Sequence, residues 1–179
     1  MTDDWAAQLR ANREEKDRFF ADHRQSPIPP EERDEFDGLN YFDPDPEYRV
    51  EATVTVHDDP DPVEMETSDG RTVRYLRVVT FAFELDGESR ELCGYRQEND
   101  DSKALFVPFR DKTTGPQTYK GGRYMELEPD RDLEDGDQVT VDFNLAYSPF
   151  CAFSETFSCP LPPEENWLET TVEAGERTP

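Results

Sequence analysis

Arg110, Asp111, Tyr119, Arg123 and Tyr124 lie in one short stretch whose residue types suit the capture of an anion. An arginine grips a carboxylate or phosphate through two parallel bonds. Backbone N–H groups in a glycine-rich turn can form a concave anion-binding nest, and Thr114-Gly115-Pro116 and Gly121-Gly122 provide such turns. A second polar cluster follows at Asp142, Asn144 and Tyr147. Asp142 and Asn144 alternate with Val141 and Phe143, so they share one face of a strand end. On the inside of a barrel such groups must be paired or must bind something. The eight residues together predict a site for a small anionic ligand. Arg110 and Arg123 would hold its charge, Tyr119 and Tyr124 its apolar part, and Asp142 and Asn144 its polar groups, with Asp111 and Tyr147 completing the lining.

The charge map supports this placement. The chain has 43 acidic and 19 basic residues, a formal charge of -24. Only four of the basic residues are lysines, and three of those, Lys103, Lys112 and Lys120, fall near Arg110 and Arg123. From Lys103 to Leu127 five cations face two anions. A positive island on so acidic a surface attracts anions locally, although structural ion-pair networks imitate functional sites. Two other functions fit the same residues. One is an enzyme in which an arginine lowers a Tyr or Asp pKa for proton transfer. The other is a protein-interaction module in which the polar residues form a buried network holding loops together.

Other chemistries have less behind them. The two histidines, His23 and His57, are far from the cluster, which disfavours a Ser/His/Asp arrangement. Lys120-Gly121-Gly122-Arg123 is not a phosphate loop opening a helix. Cys151 and Cys159 are spaced too widely for a usual zinc pair, and a reducing cytoplasm disfavours a disulfide. Thiols packed beside Phe150, Phe153 and Phe157 are the favoured reading. No metal and no cofactor is expected.

Several of these residues carry a resemblance. Pro108-Phe109-Arg110-Asp111, Thr114-Gly115, Thr118-Tyr119, Gly122-Arg123-Tyr124, Asp142-Phe143-Asn144 and Ser158-Cys159-Pro160-Leu161-Pro162-Pro163 with Asn166 resemble domain-of-unknown-function family 1684, found in bacteria and haloarchaea. The resemblance implies that the two polar segments form a shared site. It implies no activity.

The elements that must position these residues are mostly strands. Val50, Ala52, Val54 and Val56 alternate with polar residues, Val63–Thr67 is a short second strand, and Thr72–Leu85 is the longest alternating run. Asp86-Gly87 is a two-residue hairpin signal leading into Ser89–Arg96. Leu105–Phe109 and Arg123–Leu127 flank the polar loop, Asp135-Gly136 turns into Val139–Phe143, and Leu168–Val172 closes the list. Asn99–Ser102 reads as a loop. About eight strands with no βαβ alternation predict a mainly β fold, an antiparallel barrel or sandwich. An N-terminal helix, capped by Asp3 or Asp4 and ended by Pro27, predicts a helical arm. The expected organisation is an arm and aromatic loop over 1–40, a β domain over 41–175 and a flexible tail over 176–179.

With 179 residues, one domain with a real core is expected. Hydrophobic content is only 34% but aromatic content is 12%, which predicts a core built from Phe and Tyr more than from aliphatics. Dispersed acids and 15 arginines against 4 lysines suit a cytoplasm of molar salt, as in a salt-loving archaeon. The same charge excludes a nucleic-acid phosphate groove. No apolar run reaches the roughly 18 residues of a membrane span, and the first residues carry no leader pattern. The expectation is a cytoplasmic monomer or homodimer.

Overall fold

The computed structural model describes residues 2–98, 103–129, 131–154 and 157–178. The loop expected at Asn99–Ser102 lies outside the described residues. The fold is mainly β. Six strands, β1 (Arg49–Glu66), β2 (Thr72–Leu85), β3 (Glu88–Arg96), β4 (Leu105–Phe109), β5 (Arg123–Leu127) and β6 (Gln138–Asp142), form one antiparallel sheet in the order β5-β4-β3-β2-β1-β6. The sheet curls into a half-barrel. After β6 the chain returns to the far edge, where Tyr124 and Tyr147 exchange backbone bonds of 2.8 and 2.9 Å.

The strand count differs from the expected eight for two reasons. The segments expected as separate strands at Val50–Val56 and Val63–Thr67 are one strand, because both pair with β2. Val56 faces Val79 and Asp61 faces Arg77, so the residues between form an outward bulge that re-aims the strand without ending it. The segment expected as a strand at Leu168–Val172 is not one. It crosses the open side as irregular chain, held by backbone bonds from Leu168 to Arg110 and from Lys112 to Thr170 and by the side chains of Asp86, Asp111 and Arg123. The Asp86-Gly87 hairpin is present, with positive φ at both residues.

Inward-facing residues alternate along the strands, and the interior is more aliphatic than expected: Phe81, Phe83, Phe109 and Phe143 are the aromatic members of the main core, and Ala, Val, Leu and Met supply the rest. Phe81, Phe83, Phe109 and Phe143 pack with Val54, Leu92 and Val107, and Phe143 meets both Phe83 and Phe109 edge-on. A smaller cluster of Met65, Cys93 and Tyr95 lies apart from this core.

Helix α1 (Thr2–Asp22) begins before the expected cap, placing Asp3 and Asp4 in its first turn, where acids still complement the helix dipole. Its apolar stripe is thin, and polar contacts do much of the docking. Trp5 donates to Asp142 at 3.3 Å, Arg13 donates to the Phe42 carbonyl at 2.9 Å, and Asp17 accepts from the Leu39 N–H at 3.0 Å. Leu9 and Phe20 supply the buried apolar anchors. Among the described residues, no helix is long and apolar enough to cross a membrane.

The tail does not run free from residue 176. Glu176 is 3% exposed, its N–H reaches the Ala146 carbonyl, and its carboxylate pairs with Lys16. Arg177 and Thr178 continue with backbone bonds to Asn40 and Gln117. The segment is therefore part of the fold through Thr178, because polar side chains on the barrel bind its backbone.

Candidate functional site

Arg123 and Arg110 face opposite sides of the sheet. Phe109 is paired with Arg123 across β4 and β5, and both side chains point inward, with the guanidinium 5.1 Å from the Phe109 ring. Arg110 is the next residue along, so strand alternation turns it outward.

Arg123 is fully buried. One terminal nitrogen donates to the carbonyls of Ala174 and Glu176, and the other donates to the Val172 carbonyl at 2.9 Å and to Asp111 at 3.4 Å. Asp111 in turn accepts from the Val172 N–H at 2.6 Å and from the Thr113 hydroxyl at 2.7 Å. Burial pushes the Arg123 pKa down and Asp111 opposes that shift. Gly122 makes this placement possible. Its φ is +92°, and a Cβ there would lie 2.7 Å from Pro162 and 2.8 Å from the Phe109 carbonyl oxygen. Arg123, one of the two arginines expected to hold a ligand's charge, thus holds the chain's own C-terminal segment together with Asp111.

The second cluster has the same character. The Asp142 carboxylate caps the short turn Phe143–Leu145 by accepting from the Asn144 N–H at 3.0 Å, and it faces Arg49 at 3.3 Å. Asn144 is 2% exposed and its amide mimics a strand partner for Asp45, accepting from its N–H at 2.9 Å and donating to its carbonyl at 2.8 Å. Tyr147 donates to Glu126 at 2.7 Å, and Tyr124 donates to the Pro160 carbonyl. Burial raises the pKa of both phenols, with Glu126 adding to the shift at Tyr147. That direction keeps them protonated and is opposite to the one a tyrosine base requires.

The eight residues do not converge on one pocket. Arg110 and Asp111 line an outer cleft of about 590 Å³ with Lys112, Glu164, Trp167, Leu168 and Glu169. Tyr119 lines another, of about 740 Å³, with Lys120 and Cys151. Asp142 lines a third, of about 270 Å³, in the gap between β5 and β6. Arg123, Tyr124, Asn144 and Tyr147 line none of these. Among the described residues, no three His, Cys, Asp or Glu side chains gather as metal ligands.

Within the outer cleft, the Arg110 guanidinium lies 4.9 Å from the centre of the Trp167 ring, and Trp167 is 47% exposed. Arg110 N–H and carbonyl bond to Asn166 and Leu168, fixing the backbone at 3.1 and 2.7 Å. Its guanidinium carries no ion pair among the described residues. Trp167 itself is held by its indole N–H, which donates to the Pro162 carbonyl at 2.9 Å.

Two important residues were not singled out for a role by sequence reasoning. Asn166 is fully buried, and its amide accepts from the Cys93 N–H at 2.8 Å and donates to the carbonyls of Cys93 and Pro108 at 3.0 and 2.7 Å. It bridges β3 and β4, whose ladder contains a single paired position, Tyr95 with Phe106. The proline run before Asn166 was the available signal. Glu176 was assigned to a tail, with only its charge on an already acidic chain to mark it. The two cysteines also differ from expectation. Cys151 and Cys159 form a disulfide, because the Thr67–Pro160 bridge brings the second cysteine beside the turn containing the first.

Residues 34–177 match the family described as a protein of unknown function, DUF1684. The fold is similar to the solution NMR structure of an uncharacterised protein of Haloarcula marismortui, with 76% identity, a TM-score of 0.78, and coverage of 99% of this chain and 96% of that one. No curated protein matches the chain. The knot around Arg123 and Asp111, the Asp142–Asn144 turn and the Asn166 bridge all fall within the matched span, and the chain belongs to the DUF1684 family.

Proposed function

We propose that this protein binds a small planar anion, such as an aromatic carboxylate, in the outer cleft of Arg110, Lys112 and Trp167. The observation that carries this reading is the unpaired Arg110 guanidinium. Arg110 has no ion pair among the described residues, as is also true of the half-buried Arg13, Arg33 and Arg96; what sets it apart is the exposed Trp167 ring 4.9 Å from its guanidinium. Its planar face rests on an indole that is itself half open to solvent. A ligand carboxylate would meet the fork of Arg110 while its ring covered the free part of Trp167. Glu164 and Glu169 line the same cleft and offset the two cations, so net charge contributes little. The stacking contact therefore matters most, and it persists where salt screens charges beyond about 3 Å. The buried polar network serves as the scaffold that aims Arg110 and Trp167. The proposed setting is a salt-rich cytoplasm, in keeping with the charge of -24 and the Haloarcula relative.

The test is a fluorescence titration with benzoate in a Trp5→Phe background, which leaves Trp167 as the sole indole. Saturable quenching is expected, and it should be lost in Arg110→Ala while the unfolding midpoint stays put. An equal response in Arg110→Ala would remove the basis of this reading.

A further inference from the structure

The mouth of the half-barrel holds a cavity that the site above does not use. It measures about 230 Å³ and is floored by Val56, Val79, Leu105 and Leu133. Val79 and Leu105 are core residues, and Val56 and Leu133 pack against that core. The rim carries His57, Arg96, Lys103 and Asp132. An apolar floor under a few convergent polar groups is the usual form of a small-molecule site, and barrel mouths are a usual place for one.

Two irregularities of the sheet meet there. The β1 bulge between Val56 and Asp61 contributes Val56, His57 and Pro60. The register shift between Arg77 and Val79, where β2 runs against β3, contributes Val78 and Val79. Bulges cluster at barrel rims and re-aim side chains. Here both lie beside the same cavity. The His57 ring is held on the outer face of the sheet by a 2.8 Å hydrogen bond between its Nε2 and the Thr80 hydroxyl, which leaves Arg96 as the cation aimed at the opening. The Arg96 guanidinium, among the described residues, meets only main-chain carbonyls, those of Ala104 and Lys103, at 3.5 and 3.4 Å. These are long contacts that a carboxylate would readily displace.

We infer that the barrel mouth binds a small carboxylate with a short apolar tail, its head at Arg96 and its tail over Val79, Leu105 and Leu133. The cavity has the volume of roughly eight water molecules, at about 30 Å³ each. That suits an acid of about six carbons, so hexanoate is the probe. The inference is independent of the outer cleft, which shares no residue with the mouth.

The experiment is a titration of hexanoate into isotope-labelled protein, read by the methyl resonances of Val79, Leu105 and Leu133, at low salt and in about 2 M KCl. Saturable shifts confined to these methyls are expected. Hexanol, which lacks the charge, and acetate, which lacks the tail, should each bind at least about tenfold more weakly. Arg96→Ala should weaken hexanoate by about tenfold. Leu133→Phe, which fills the floor of the cavity, should abolish the shifts at Val79 and Leu105 while the remaining spectrum is retained. Arg110→Ala should leave them unchanged. Absent methyl shifts, hexanol binding as tightly as hexanoate, or loss of the response in Arg110→Ala would each overturn the inference.

Discussion

Replacing Arg123 by methionine separates a ligand-binding arginine from a structural one. Methionine has similar length and no donors. The change removes the bonds to the carbonyls of Val172, Ala174 and Glu176 and leaves Asp111 facing the core without its cation. Breaking a buried ion pair by removing one partner costs about 3–5 kcal/mol. Each orphaned carbonyl adds up to about 1–3 kcal/mol unless water reaches it, and the terms are not additive. A loss of about 5 kcal/mol is a reasonable expectation, a large share of the roughly 5–15 kcal/mol that holds a domain together. At a urea dependence of about 2 kcal/mol per molar, the midpoint should fall by about 2.5 M. The assay is urea unfolding at constant high salt, paired with amide exchange at Val172 and Glu176, where protection should be lost first. A second variant, Asp111→Asn with Arg123→Met, removes the stranded charge and should recover part of the loss. A midpoint shift below about 0.5 M for Arg123→Met, with the C-terminal amides still protected, would refute the assignment of Arg123 to the scaffold.

Further outcomes follow from other parts of the structure. Asn166→Leu removes the bridge between β3 and β4 and should cost about 2–4 kcal/mol, with increased exchange at the Cys93 amide; unchanged exchange would contradict the bridging role. Reducing Cys151–Cys159, whose sequence separation is 8, should lower stability by about 2.5 kcal/mol, measured as the urea midpoint with and without dithiothreitol. A midpoint insensitive to reductant would count against the crosslink. Tyr95 and Tyr124 have pKa values raised above the ordinary 10.0 by burial, with the bond to Glu165 adding at Tyr95. Above that value the unfolded chain releases phenol protons that the folded chain keeps, so their contribution is intact below pH 10 and lost as pH rises beyond it. Stability should then fall by about 1.4 kcal/mol per pH unit for each phenol, and phenolate absorbance should rise together with unfolding. Gradual ionisation of all tyrosines without unfolding would show that these two are open to solvent.

Much of the fold was legible in local pattern. The alternation of Val50, Ala52, Val54 and Val56 and the Asp86-Gly87 turn are short-range properties, and each appears where it was expected. The arm was also legible, since prolines after Ser26 leave a helix nowhere to go. The candidate site was legible in part. Arg110, Asp111 and Arg123 were recognised as a special group, but the parity that sends Arg110 and Arg123 to opposite faces was misjudged. The intervening loop concealed that Arg123 pairs with Phe109, and that pairing sets the direction of both side chains. The disulfide was missed because eight residues of chain say nothing about whether their ends meet.

By itself, the sequence determined which segments are strands, where the tight turns lie and that a cluster of arginine, aspartate and asparagine must be satisfied somewhere. These depend on backbone sterics, side-chain period and the cost of burying a polar group, all of which act locally or through residue type. Only the tertiary structure decided what satisfies the cluster. A buried guanidinium accepts any well-placed oxygen, whether from a ligand, a carboxylate or the main chain, and residue type does not distinguish them. The return of residues 172–176 across the open barrel supplied those oxygens from within the molecule.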